Sequence, residues 1–104
     1  MILTNLEIVP GRSIVEHFGL VQGSCVKSKH VGRDIAASVK NLFGGELKGY
    51  TELLSEARDE ALLRMQEQAR ELGANAVVNI RMSTSAITAG ASELLVYGTA
   101  VRIN

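Results

Sequence analysis

The sequence predicts a small α+β subunit in which a mainly antiparallel sheet packs on one long helix, with the elements in the order β-α-α-β-β. Three observations lead there. Residues 51–72 carry Leu54, Ala57, Ala61, Met65, Ala69 and Leu72 in one stripe at steps of three and four, the spacing of an amphipathic helix. Residues 74–84 and 93–103 alternate from one position to the next, the period of strands, and residues 13–26 fit a further strand ahead of them. A chain of 104 residues accommodates one domain, 1–104, and folding alone it would bury roughly two-thirds of its unfolded surface, a thin margin.

Taken in order, the first strand sets Ile14, Phe18, Leu20 and Val26 on one side and Val15, Val21 and Cys25 on the other. Gly19 and Gly23 share the second side, where missing side chains let another element approach the backbone. The stretch "KSKHVG" ends the pattern. A short helix is predicted from Asp34 to Phe43, because Ile35, Val39, Leu42 and Phe43 recur at helical spacing and Gly44-Gly45 supplies a stop. After a loop at "GGELKG" comes the long helix from Thr51 to Leu72, with Gly73 placed for a left-handed cap and Arg70 suited to the negative end of the helix dipole. In the next strand Val78, Ile80 and Met82 oppose Asn79, Arg81 and Ser83. A loop at "SAITAGAS" leads to the last strand, where Leu95, Tyr97, Val101 and Ile103 oppose Leu94, Val96, Gly98 and Ala100. No internal repeat or linker interrupts this order.

Composition narrows the function. Hydrophobic residues make up 46% and charged residues 21% with a single Pro, so the chain is too apolar to be disordered. Eleven basic residues balance eleven acidic ones, which removes the positive field that nucleic-acid binding depends on. Phe18, Phe43, Tyr50 and Tyr97 are too scattered to stack bases. No apolar run approaches the roughly 20 residues that span a bilayer, and the lone Cys25 has no intrachain disulfide partner. A cytoplasmic protein without nucleic-acid or membrane partners is expected.

Several blocks then carry a likeness: "RDI" at 33–35, "GG" at 44–45, Tyr50, "EARDEAL" at 56–62, "ARELGANAVV" at 69–78 and "YGTAV" at 97–101. Together, and at this spacing, they resemble the YbjQ-like family of uncharacterised proteins. The resemblance implies a subunit related in fold to dodecin, assembled as a homopentameric ring, with heavy-metal binding suggested as its function. Family members carry acidic side chains in the penultimate strand, where this chain has "IRMSTS".

The residues themselves give metal little support. His17 and Cys25 are eight residues apart, about 26 Å along a strand, whereas ligands of one zinc must each lie within about 2.0 to 2.3 Å of it. His30 could turn back toward Cys25, yet a third ligand is undefined, and no CxxC or HxxxH is present. The ligand set of any metal is therefore unknown, and no cofactor is evident. A ring could still gather copies of Cys25 or His30 around its axis.

Catalytic residues are not indicated. In "SEARDEALLR", Glu60 and Arg64 make an i, i+4 pair on what reads as a solvated helix face. Arg58 falls inside the apolar stripe, so a half-buried guanidinium paired with Asp34 is expected, and an anion pocket of Arg58, Arg33 and the start of the short helix is the catalytic alternative. Lys27, Lys29, His30 and Arg33 make a basic loop without a phosphate-binding glycine pattern, and no serine has a His-acid set.

What the pattern does imply is assembly. Three strands leave two bare edges, and the first and last strands are apolar on both faces while one helix covers only one. Leu63 and Leu53 lie off the helix stripe as further contact candidates. Three functions follow: a non-enzymatic homo-oligomeric ring that binds a metal ion or small ligand, an enzyme with an anion pocket around Arg33 and Arg58 at a subunit boundary, or a structural adaptor for another protein.

Overall fold

The structure, a computed structural model, describes residues 1–28 and 45–104. The expected helix at 34–43 lies outside the described residues, with Lys29, His30, Arg33 and Asp34. Strand β1 (Ile2–Leu3), strand β2 (Ile14–Ser28), helix α1 (Gly45–Glu71), strand β3 (Ala76–Thr88) and strand β4 (Ala91–Ile103) follow in that order. The four strands form one mixed sheet in the order β1-β3-β4-β2, with β4 antiparallel to both neighbours and β1 parallel to β3. The three expected strands are present. The fourth, β1, is two residues long and too short to show a period in the sequence.

Helix α1 buries Ala57, Ala61, Met65 and Ala69 completely or nearly so, which is the expected stripe. It begins at Gly45 and not at Thr51, so the segment read as a loop supplies its first turns. Leu72, placed in the stripe by periodicity, is exposed because the helix has ended. Gly73 adopts φ 92°, the Ala74 N–H donates to the Ala69 carbonyl and the Gly73 N–H to the Arg70 carbonyl, so the last carbonyls are satisfied by a left-handed cap. Full burial of Met65 alone contributes about 2 to 3 kcal/mol.

The sheet departs from simple alternation at four places, two in β2 and two in β3. Between Val78 and Arg81 the register to β4 slips, and Asn79 takes φ 59°, a left-handed conformation that asparagine tolerates. Val77 and Ile80 therefore join the core under α1, while Ala76 and Val78 join Val101 and Ile103 on the opposite face, beneath Val9. The expectation that Val78 and Ile80 share a face fails for this reason. In β2 the register slips between His17 and Gly19, which turns Phe18 toward the helix-side core and leaves Leu20 outside; Val15, expected beside Val21, is exposed.

Strand β3 runs four residues further than its periodicity suggests, to Thr88, and β4 begins two residues earlier, at Ala91. The "SAITAGAS" stretch is nearly all strand, and Thr88 pairs with Ala91 across a two-residue turn at Ala89-Gly90. Every residue from Arg81 to Ala89 is exposed, while β4 beside it is largely buried and pairs with β2, so this half of β3 forms an uncovered edge. The radius of gyration is 16.9 Å, against about 13 Å for a compact chain of this length.

Candidate functional site

Helix α1 and strand β2 meet where Gly23 of the strand has no side chain and the helix presents the small Ala61. A Cβ on Gly23 would lie 2.1 Å from the Ala61 carbonyl oxygen and 2.6 Å from the Met65 nitrogen, so only glycine admits the helix at this distance. The close approach that the sequence suggested is made at Gly23. At Gly19, which takes φ 101° in the bulge, nothing comes near.

That contact sets what faces what. Cys25 lies two residues beyond Gly23 on the same face, and Glu60 directly precedes Ala61. The buried Cys25 thiol donates to Glu60 Oε2 at 2.8 Å, Lys27 Nζ lies 3.2 Å from the same oxygen, and Arg64 Nη2 lies 3.1 Å from Oε1. Arg64 Nη1 also donates to the Ser24 carbonyl, and the Gln22 N–H donates to Gln68 Oε1 at 2.7 Å. One carboxylate thus joins strand and helix through a thiol and two cations. The i, i+4 pair of Glu60 and Arg64 is as expected. The thiol and Lys27 were missed, because nothing local connects residues 25 and 60; the paired small residues Gly23 and Ala61 were the available signal.

The electrostatics make this a tie and not a reactive thiol. Burial first, then the bond to Glu60 and its negative charge, push the Cys25 thiol above its ordinary value of 9.0. Glu60 is held below 4.5, first by the bond from Cys25 and then by Lys27, while the bond to Glu60 raises Lys27 above 10.5. A protonated thiol is a poor nucleophile and a poor ligand. A metal ion would have to displace its proton and compete with Lys27 and Arg64 for the carboxylate. His17 pairs with Val101 on the opposite face of the sheet and cannot assist. Among the described residues no group of three or more His, Cys, Asp or Glu side chains could hold a metal ion. The described residues of one chain do not fit a metal ion.

A second feature lies on the other flank of α1. The helix packs on β2 and β4 and hardly reaches β3, which leaves a groove of about 550 Å³ lined by Leu3, Thr4, Leu62, Ile80, Arg81 and Met82. Arg81 Nη1 donates to the carbonyls of Asn5 and Ile80, both at 2.9 Å, and holds its guanidinium at the rim. An apolar floor with one cation suits a small, largely apolar ligand. Periodicity placed Arg81 on the polar side of its strand and gave no sign of the groove, since Leu3 to Asn5 come from the unassigned N-terminal segment.

Arg58 corrects an expectation. It is exposed, not half-buried, because the helix rests on Ala57 and Ala61 and Arg58 is turned about 100° from that line. Its proposed partners Asp34 and Arg33 lie outside the described residues. Leu63 is exposed, as expected for a residue opposite the stripe, and Leu53 is half-buried.

Comparison with known proteins places the chain. The family model described as "Putative heavy-metal-binding", YbjQ, matches residues 1–104. The chain belongs to the YbjQ family. It is 66% identical over 101 residues to a protein of Hahella chejuensis named UPF0145 protein, covering 97% of each chain. To a UPF0145 protein of Thermotoga maritima it is 56% identical over 103 residues, covering 99% of this chain and 97% of that one. Among solved structures it resembles a protein of unknown function from Pediococcus pentosaceus in the DUF74 family, with a TM-score of 0.62 at 17% identity, covering 100% of this chain and 98% of the other. That likeness shows the fold alone. The family relation agrees with the resemblance read from the sequence blocks, and the family is uncharacterised, with no catalytic activity attached to it. Among the described residues, no helix of this YbjQ-family chain is long and apolar enough to cross a membrane.

Proposed function

We propose that this YbjQ-family protein is a non-enzymatic, homo-oligomeric ring whose subunit seams bind a small ligand or metal ion. Five copies and a dodecin-like subunit are what the family resemblance implies. The observation that supports the ring is the sheet face turned away from α1. On it Leu20, Val26 and Tyr97 are 69%, 57% and 37% exposed, and half-buried Leu95 joins them across the register Ser24 to Leu95. An apolar face of this kind on a small domain is a contact surface. Packing against a neighbour would cover it and make up for the thin margin of a single subunit.

The ligand reading rests on the groove at Leu62, Ile80 and Met82, which has room for a small molecule and opens beside a sheet edge where a neighbouring copy could supply a wall. For a metal ion, the ligands that the described residues of one chain do not bring together would come from another copy. Native mass spectrometry of protein purified from cells tests both parts. The expected spectrum is an intact multimer whose mass exceeds the polypeptide by a retained metal or small molecule. A bare multimer that also takes up no zinc or copper on equilibration and desalting would leave the assembly and end the binding function.

A further inference from the structure

The two edges of the sheet are finished differently. On β2, helix side chains cap two of the outward backbone groups: Gln68 takes the Gln22 N–H and Arg64 binds the Ser24 carbonyl. On β3, the N-terminal segment serves the same purpose as far as Ile80, whose N–H donates to the Thr4 carbonyl while the Asn79 N–H donates to Leu6. Beyond Ile80, among the described residues, nothing covers the edge. In an antiparallel strand successive residues turn their N–H and C=O groups to alternate sides. Counting on from Ile80, Met82, Thr84 and Ala86 turn theirs outward, while Arg81, Ser83 and Ser85 face Tyr97, Leu95 and Glu93 of β4.

Between its flanking bulges this open row has neither the charge nor the proline that usually protects an edge strand. It is long, straight between the bulges at Asn79 and Ile87, and carries no charge from Met82 to Thr88. Helix α1 lies over β2 and β4, so it leaves room for a strand beside β3. We propose that Met82–Ala86 pairs antiparallel with the same segment of a second copy, about a two-fold axis through Thr84. That register sets Met82 against the second copy's Ala86 and Thr84 against its own counterpart, and it uses every outward N–H and C=O group of the segment. An uncharged segment meets itself without like-charge repulsion, and a Thr-Thr pair across strands is favourable. The seam is independent of how the outer sheet face is covered. In a five-copy ring it joins one ring to another.

Two variants test it. Thr84→Pro removes an outward N–H and leaves the β4 ladder intact, a position where an edge strand accepts proline. Its mass by light scattering should be half that of the wild type, with an unchanged circular dichroism spectrum. In a Cys25→Ser background, Thr84→Cys places two thiols on the axis, with Cα atoms about 5.5 Å apart and within disulfide range. Mild oxidation should give a disulfide-linked dimer. A folded Thr84→Pro protein of wild-type mass, or a Thr84→Cys protein that stays reduced, overturns the seam. If Thr84→Pro fails to fold, the disulfide decides alone.

Discussion

Gly23 is the residue on which the join between strand and helix turns. A methyl group there would have to occupy the space of the Ala61 carbonyl and the Met65 amide, which are backbone and cannot swing aside. Gly23→Ala should therefore destabilise the fold by about 2 to 3 kcal/mol in urea unfolding, at the upper end of overpacking costs. This constraint was legible in the sequence as a glycine among apolar strand residues. Its neighbour Glu60 was not, since a charged residue on an amphipathic helix looks solvated whether or not a strand residue reaches it. The folded state holds the Glu60 carboxyl below 4.5, so the stability it contributes is complete above that pH and is lost as pH falls through the lower folded value. Glu60→Gln should lower the urea midpoint at pH 7, and the difference from wild type should close in acid. Cys25 and Lys27 have the opposite sense: both are raised, so their contribution is present below 9.0 and 10.5 respectively and is lost as pH rises beyond. Consistent with a buried thiol held by Glu60, Cys25 should react with a thiol reagent far more slowly in the folded protein than in urea.

Among the elements, α1 and β4 were the most legible, because each repeats its period over many residues without interruption. Leu94, Val96 and Ala100 face the helix, and Val101 and Ile103 face away, as alternation requires. The elements that misled did so for physical reasons. A bulge such as that at Asn79 inserts one residue and exchanges faces, and neither it nor the slip before Gly19 leaves a mark in an apolar pattern. The second half of β3 is rich in Ser, Thr and Ala, which resembles loop composition until β4 supplies its hydrogen-bonding partner. Met65 sits at the middle of the α1 contact with no exposure at all. Met65→Ala should cost about 2 to 5 kcal/mol by opening a cavity between helix and sheet, measured as a fall in the chemical unfolding midpoint with an unchanged slope.

At the scale of the molecule, helix α1 and a short N-terminal segment leave part of the apolar sheet exposed. The segment shields Ala76, Val78, Val101 and Ile103 through Val9, but it stops short of Leu20, Leu95 and Tyr97. The exposed apolar sheet face was legible from strands apolar on both faces; the groove beside β3 was not, because residues distant in the chain and the few contacts between helix and β3 create it. Leu20→Glu places a charge in the middle of the uncovered patch and should break the contacts made through it, leaving a folded subunit with at most the Met82–Ala86 pairing, as seen by sedimentation together with circular dichroism. The central claim is that copies of the chain bury this face against one another. Light scattering of the wild-type protein at low micromolar concentration tests it most directly: the mass should be a stable multiple of 11.2 kDa greater than two copies, and a monodisperse species of one or two copies would contradict it.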